Sequence, residues 1–308
     1  MSILFMRRRK LGAGSVRGVT AFLNQENQDN AKRLPIRAYE GRVASYTLHE
    51  NLRNAPEADY LVRWGCTAET DRRFPLERQL NPSRAIHLVG NKKEFRRVLQ
   101  RQHPDIIPAT YFNANEVPVD GRFIVRPAHH AQGRQLWVGE GRRGVQEIVR
   151  RHGLDDYYVS AFIDKEREFR VYVFEGRVVA VAEKTPGNPN QVAWNVAQGG
   201  RFDNVRWDAW PLRACEISIL AWRESGLDFG GVDVMTRGND EWIIEINSAP
   251  SLPLNENGSV SYRQECMGKA FKHILDHGKG HVPAPVLPAR GWRDVIHPAI
   301  WTRGQRER

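Results

Sequence analysis

Asp233, Glu245 and Asn247 are the residues of this chain with the clearest capacity for chemistry. Two short apolar runs, 232–235 and 242–246, flank a polar turn containing Gly238, the pattern of a β-hairpin. Glu245 and Asn247 lie two apart on one run, so both side chains project to one face. Asp233 can join them from the paired strand. Two carboxylates and an amide oxygen on one face suit Mg²⁺, a hard cation that takes oxygen ligands and keeps positions open for phosphate. An ordinary hairpin whose acids simply face water has the same local sequence, so the assignment depends on the rest of the chain.

Four further clusters precede the hairpin. Asn91-Lys92-Lys93 opens a helical pattern, where cationic side chains and N–H groups could meet a phosphate; a solvated helix start reads the same. The run Phe123-Ile-Val-Arg126 leads into a small-residue loop around Gly133, able to lie close to an anion or to serve as a plain turn. His129 and His130 are adjacent and lack metal-ligand spacing. Glu168 and Arg170 share one strand face while Phe169, Val171 and Val173 share the other. They form either a surface ion pair of small worth or a site for a ribose hydroxyl and a phosphate. Lys184 precedes a polar loop, through Asn195 to Gly199-Gly200, suited to closing over a ligand.

Positioning these groups requires strands, which the apolar patterns place at 58–65, 123–125, 136–138, 157–163, 169–174 and 178–181. Helical spacing predicts helices at 91–102, 142–151, 211–225 and 262–276. Residues 1 to about 85 mix short apolar runs (2–6 and 60–64) with Arg-rich connectors. A proline-rich stretch before Trp292 and a basic end predict an extended or partner-bound tail from 281. A small α/β region, then strand pairs with a helix, then a larger antiparallel-rich α+β unit implies more than one domain.

At 308 residues the chain can bury a sizeable core. No apolar run approaches membrane-spanning length, and charges follow the N-terminal apolar residues, the reverse of a secretory signal. A cytoplasmic protein is expected. Cys66, Cys215 and Cys266 lack CxxC spacing, so neither a disulfide framework nor a zinc site is expected. The net charge of +10 favours anionic partners. Nucleic acid stays open as a partner, although no recognisable nucleic-acid module is present.

The ordered set of a Lys-led helix, a Val-Arg-Pro strand with a Gly loop, a Glu-x-Arg strand, and Asp followed by Glu-x-Asn resembles the ATP-grasp superfamily. Within it, the chain is most similar to the glutamate-adding ligases related to the ribosomal-protein modification enzyme. The similarity covers roughly 58–276 and is strongest at 226–253, in Gly-Leu-Asp-Phe-Gly-Gly-Val-Asp-Val-Met and Glu-Ile-Asn-Ser-Ala-Pro-Ser-Leu. The resemblance implies an α+β ATP-grasp fold in which two lobes sandwich ATP. An N-terminal α/β domain would cover 1–88, a central lobe with a flap loop 89–156, a metal-bearing C-terminal lobe 157–280, and the basic tail 281–308.

It also implies roles. Lys92 and Arg126 would contact the nucleotide phosphates, with Gly133 in the flap over them. Tyr158, Ser160, Phe162 and Ile163 would form the hinge beside adenine, and Glu168 would bind the ribose. Arg170 and Lys184 would be catalytic, facing the γ-phosphate or the acyl substrate. Asp233, Glu245 and Asn247 would hold Mg²⁺, or Mn²⁺ in its place. Four positions depart from the family pattern. Arg126 stands where Lys is usual, Gln135 where a second flap glycine is common, and Ser160-Ala161 where many relatives have a carboxylate. Gly231-Val232 replaces the arginine of the D-alanine ligase branch, which argues against that activity.

The activity implied is an ATP- and Mg²⁺-dependent carboxylate–amine ligase working through an acyl phosphate. Its partners would be ATP, a carboxylate and an amine, peptides and proteins included, with no membrane. Two rivals are a kinase acting on a small anionic or hydroxyl acceptor and a non-catalytic nucleotide-binding protein with nucleic-acid contacts at its basic ends.

Overall fold

The computed structural model describes residues 1–8, 12–25, 36–43, 52, 54–69, 73–129, 135–188, 191–194 and 199–301. The N-terminal apolar run forms β1 (Ser2–Arg8), with Ile3, Leu4, Phe5 and Met6 fully buried. It joins β2 (Arg37–Val43), β3 (Tyr60–Trp64) and β4 (Gln79–Leu80) in a parallel sheet ordered β2–β1–β3–β4. Strands buried on both faces read as continuous apolar runs, which suits β1 and β3. Helix α1 (Ala13–Gln25) carries buried Val16, Val19 and Leu23 at helical spacing.

Two helices follow, α2 (Ser83–Gly90) and α3 (Lys92–Gln102). Asn91 caps α3, its side-chain oxygen accepting from the Glu94 N–H at 3.1 Å. Phe95, Arg96 and Leu99 form the buried stripe of α3. A second, antiparallel sheet contains β5 (Thr110–Tyr111), β6 (Arg122–Pro127), β7 (Trp137–Glu140) and β8 (Tyr157–Ala161), ordered β5–β8–β6–β7. Helix α4 (Gly141–His152) packs on it through Val145 and Ile148. The expected limit at 88/89 runs through α2. The one at 156/157 precedes β8, whose ladder bonds go to β5 and β6.

The third sheet carries most of the expected site. It comprises β9 (Arg167–Phe174), β10 (Arg177–Thr185), β11 (Arg201–Val205), β12 (Phe229–Arg237) and β13 (Asp240–Asn247), ordered β11–β10–β9–β12–β13 and antiparallel throughout. Between β11 and β12 lies α5 (Leu212–Ser225), preceded by Pro211 and stopped by Gly226 in the left-handed region at φ 67°. After β13 comes α6 (Tyr262–His277), held at its start by a capping box between Ser261 and Gln264. Phe169, Val171 and Val173 of β9 are fully buried on the face that meets α5. On the opposite face, Phe174 packs edge-on against Phe271 of α6 at 4.8 Å. That face is therefore apolar at one end and open to chemistry at the other.

Asn81 ties the first sheet to the third. Its side-chain oxygen accepts from the N–H groups of Asp228 (2.9 Å) and Phe229 (3.0 Å), while its own N–H donates to Asp228 Oδ2 at 2.6 Å. The tail expected to be extended or partner-bound instead folds back on the chain as far as residue 301. Buried Arg177 donates to the carbonyls of Pro283, Ala284 and Asp294, each at 2.8 Å. The rings of Trp292 and Trp301 both meet Trp207 edge-on, at 5.8 and 5.7 Å. A buried guanidinium needs acceptors, and here the tail carbonyls supply them. The basic segment 303–308 lies outside the described residues. No helix among the described residues is long and apolar enough to cross a membrane.

Glu241 on β13 is a half-buried carboxyl whose Oε2 is shielded from water and has no partner among the described residues. Burial, opposed by Arg213 and reinforced by Glu216, pushes its pKa up to about 7. A carboxyl whose pKa is raised in the folded state costs nothing below its unfolded pKa, and its cost grows from there until the folded pKa is passed. Stability to urea should therefore fall between about pH 4.5 and 7, by roughly 1–2 kcal/mol after screening, and Glu241→Gln should flatten that slope.

Candidate active site

A cavity of about 510 Å³ opens between the second and third sheets. One wall is formed by Ile124, Ser160, Ala161 and Ile163, from β6, β8 and the segment after it. The floor is the polar end of the third sheet, with Glu168, Arg170, Lys184, Asp233, Glu245 and Asn247. Met235 and Ile244 add apolar surface, and Val192 to Trp194 lie along a further edge.

Register places the floor residues. Across the sheet, Arg170 of β9 stands opposite Asp233 of β12, and Asp233 stands opposite Glu245 of β13. Lys184 of β10 pairs with Glu168 of β9. Directly opposed side chains on one face meet, so two cross-strand rows supply five charged groups. A β-bulge between Asp233 and Val234 leaves Ile244 as the extra residue on β13. The bulge lets neighbouring Ile244 and Glu245 both line the cavity. Gly231 gives the room this requires: a Cβ there would stand 2.9 Å from Pro250 and 3.3 Å from Arg170.

The charges form one buried network. Arg170 grips Asp233 with both ends of its guanidinium, Nε to Oδ1 at 2.6 Å and Nη2 to Oδ2 at 2.8 Å. Lys184 donates to Asp233 Oδ2 at 2.7 Å and also to Glu168, which a second lysine, Lys165, reaches as well. Burial alone would push the Asp233 carboxyl up, but Arg170 and Lys184 outweigh it and hold it below the usual range. Burial likewise opposes the charge on Lys184, yet Asp233 and Glu168 raise its pKa. For Lys165 burial wins and its pKa falls despite Glu168. Asn247 Nδ2 donates to Glu245 Oε1 at 2.9 Å, which fixes the amide against the carboxylate.

The cavity lining carries five cations, Arg96, Arg126, Lys165, Arg170 and Lys184, against three carboxylates, Glu168, Asp233 and Glu245. The imbalance suits an anionic ligand. The Arg126 Nε is buried without a hydrogen-bond partner among the described residues. A buried unsatisfied guanidinium nitrogen is costly, and a phosphate oxygen would satisfy it. The donor set of Asp233, Glu245 and Asn247 is all oxygen, as a hard divalent cation requires. Among the described residues no three His, Cys, Asp or Glu cluster as metal ligands, in keeping with a set whose third member is an amide.

Of the thirteen residues expected at the site, nine line this cavity: Arg126, Ser160, Ile163, Glu168, Arg170, Lys184, Asp233, Glu245 and Asn247. Three of the other four lie elsewhere. Lys92 sits at the edge of β13, donating to the Ile246 carbonyl at 3.0 Å and standing 3.7 Å from Glu245. Tyr158 is buried with Arg96 over its ring at 5.2 Å. Phe162 turns to a smaller neighbouring cavity, where Arg122 lies 4.1 Å from its ring. Its N–H donates to the Arg122 carbonyl at 2.8 Å, and that of Ala161 to the Ala109 carbonyl at 2.8 Å, so neither amide serves a base edge. Gly133 lies outside the described residues, as does Asn195 of the loop expected to close.

Motif spacing missed several lining residues. Arg96 donates to the Ile244 carbonyl at 2.8 Å and reaches the cavity from the buried stripe of α3. An arginine on an apolar helix face was the available signal. Lys165 donates to the Val192 carbonyl at 2.9 Å and lies 4.7 Å from the Trp194 ring, holding the 191–194 segment over the site. Phe202 of β11 faces both catalytic candidates, 4.9 Å from Arg170 and 5.5 Å from Lys184.

Sheet, cavity and charge row together define an ATP-grasp fold. Residues 115–260 match the RimK-like ATP-grasp domain. Among curated relatives, a probable alpha-L-glutamate ligase of Shewanella halifaxensis is 26% identical over 189 residues, 56% of this chain and 39% of the relative. Another of the same description from Haemophilus ducreyi is 24% identical over 197 residues, 58% of this chain and 61% of the relative. The chain thus spans less than two thirds of the length of these relatives. Solved structures agree in fold at low identity. A D-alanine–D-alanine ligase of Bacillus anthracis superposes with a TM-score of 0.55 at 12% identity, covering 91% of this chain and 99% of that one. A RiPP-associated ATP-grasp ligase of Chryseobacterium gregarium, solved with ADP and a leader and core peptide, gives 0.57 at 10%, covering 90% and 97%. The expected α+β ATP-grasp fold and the resemblance to RimK-like proteins are both borne out.

The network separates buried from exposed charge pairs. Lys184→Ala strips one partner from two buried carboxylates and should cost about 3 kcal/mol or more in urea denaturation. Arg167→Ala removes a pair with Glu183 whose side chains are 55% and 32% exposed, and should cost less than about 1 kcal/mol.

Proposed function

We propose that the protein is an ATP-dependent carboxylate–amine ligase that forms an amide bond through an acyl phosphate. The observation that carries this reading is the cationic cavity in which Arg170 and Lys184 converge on the Asp233 carboxylate of the third sheet. The names of the relatives point the same way, since they describe ligases.

A carboxylate is a poor electrophile, and phosphorylation gives it a good leaving group. The chain's task is then positioning and charge neutralisation. Ile124, Ile163, Met235 and Ile244 offer apolar walls for the base at the hinge end. Glu168, two strand positions from Arg170, would accept from a ribose hydroxyl beside its pairs with Lys184 and Lys165. Arg126 and Arg96 supply guanidinium groups for the inner phosphates. Arg170 and Lys184 meet the charge that builds on the transferred phosphoryl group. Asp233, Glu245 and Asn247 would hold Mg²⁺, which when bound neutralises charge on the phosphate oxygens.

Asp233 is at present shared between Arg170 and Lys184, so nucleotide binding would redistribute those pairs. The chain keeps the cations charged and close in the meantime. The segment 191–194, anchored by Lys165, limits water access to a hydrolysable intermediate. The amine then attacks the acyl carbon, the C–O bond to phosphate breaks, and the proton lost from nitrogen goes to the departing phosphate or to solvent. No protein nucleophile is required.

The test is ADP release from ATP and Mg²⁺ with pooled carboxylates and amines, with hydroxylamine present to trap acyl groups. Hydroxamate formation is expected, whereas a stable phosphorylated product would indicate a kinase. Glu245→Gln should lower turnover by about a hundredfold or more while far-UV circular dichroism stays that of the parent. It is a cleaner probe than Asp233→Asn, which also removes the charge partner of two buried cations. Full activity in Glu245→Gln would reject the metal assignment.

A further inference from the structure

Strand register orders the cavity floor. On one row across the third sheet, Met235 of β12 stands opposite Glu168 of β9, Glu168 opposite Lys184 of β10, and Lys184 opposite Phe202 of β11. All four line the cavity. Neighbouring strands lie about 5 Å apart. The row therefore runs from an apolar wall, through a carboxylate and a cation, to a phenyl ring at the sheet edge. β11 is otherwise mostly polar: Arg201, Asp203 and Asn204 are exposed, and half-buried Phe202 is the one residue of this strand in the lining.

Three cations hold that ring. Arg170, Lys184 and, from α6 outside the lining, Arg263 lie 4.9, 5.5 and 5.7 Å from its centroid. Each is within range of a cation–π attraction. Tyr172, two positions beyond Arg170 on the same face of β9, donates to the Ser251 carbonyl at 2.9 Å and so brings the loop after β13 beside Arg170. Ala249 and Ser251 of that loop line the cavity as well. Beyond Arg170 and Lys184 the corner is thus walled by two small residues and one large ring.

We propose that Phe202 is the end wall of the pocket for the activated acid and limits the substituent next to its carboxylate, so that the acyl donor carries a small side chain there. This rests on the ligase reading, in which the base lies against Met235, the ribose at Glu168, and the transferred phosphoryl group at Arg170 and Lys184. The carboxylate oxygen that accepts this group approaches in line, from the side opposite the departing ADP. On the row, that is the Phe202 side. The acyl carbon is bonded to the same oxygen, so its substituent falls within reach of the ring. A ring held by three cations cannot swing aside without leaving charges that favour it, and a bulky substituent overpacks against it. Phe202 acts by shape alone: the bonds made and broken are those of acyl phosphate formation and its capture by the amine.

The test supplies ATP, Mg²⁺ and hydroxylamine with one acyl donor at a time and reads hydroxamate. N-acetylglycine and N-acetyl-L-alanine are the small donors, N-acetyl-L-leucine and N-acetyl-L-phenylalanine the bulky ones. The wild-type protein should use the small acids with kcat/KM about tenfold or more above the bulky ones, as a fixed pocket wall discriminates against added carbon groups. In Phe202→Ala that ratio should fall towards one because kcat/KM for N-acetyl-L-leucine rises, a gain that displaced cations or lost stability cannot produce. Phe202→Leu should fall between the two, and Phe202→Tyr should keep the wild-type order. A wild-type protein indifferent to acid size, or a ratio unchanged in Phe202→Ala, overturns the assignment. Failure of the ligase reading looks different: no hydroxamate in the wild-type protein from these acids or from the pooled carboxylates ends that reading and this proposal with it.

Discussion

The bidentate contact between Arg170 and Asp233, shared with Lys184, is the constraint around which the site is arranged. Both side chains of the Arg170 pair lie almost wholly out of water, at 12% and 4% exposure. Buried ion pairs contribute little net stability, because desolvation offsets most of their attraction, yet breaking one is costly. Such a network is therefore better understood as preorganisation. It keeps cations charged and aimed in a cavity where polar groups act more strongly than in water. The excess of cations over carboxylates in the lining leaves the network incomplete until an anion arrives.

The scaffold serves this arrangement at several scales. Antiparallel pairing sets Lys184 beside Glu168, and Arg170 beside Asp233 and Glu245, so charge order across the floor follows from strand register. A bulge brings Ile244 and Glu245 to the same side, and Gly231 leaves space for Arg170. The far half of the same face is sealed by Phe174, Phe229 and Phe271, whose rings meet at 4.8 to 5.8 Å. Aromatic packing at one end thus fixes the strands that present charges at the other. Asn81 couples the parallel sheet to β12, and the folded-back tail covers the edge near Arg177.

The parts legible in the sequence were those set by local periodicity. Alternation alone put Glu168 with Arg170 and Glu245 with Asn247, because a period of two is a local property. The hairpin that brings Asp233 to Glu245 was legible for the same reason. The Arg170–Asp233 pair was not, since it depends on register between β9 and β12, 63 residues apart in sequence. β11, with residues Arg201 to Val205 mostly polar, has too weak an apolar pattern to mark it as the strand carrying Phe202. Arg96 is hidden for another reason. In an arginine-rich chain a single arginine carries little information until its burial is known. The tail misled because proline and basic residues signal extension, whereas three tryptophans and the carbonyls around Arg177 bind it to the fold.

The central claim is that this cavity receives a nucleotide whose phosphates take over the cations now held by Asp233 and Glu168. Calorimetric titration of ATP into the purified protein, with Mg²⁺ and again with a chelator, tests it most directly. The account predicts saturable binding at one site per chain, tighter with Mg²⁺, and weakened about tenfold or more in Arg126→Ala. No heat of binding, or an affinity indifferent to both the metal and Arg126, would contradict it.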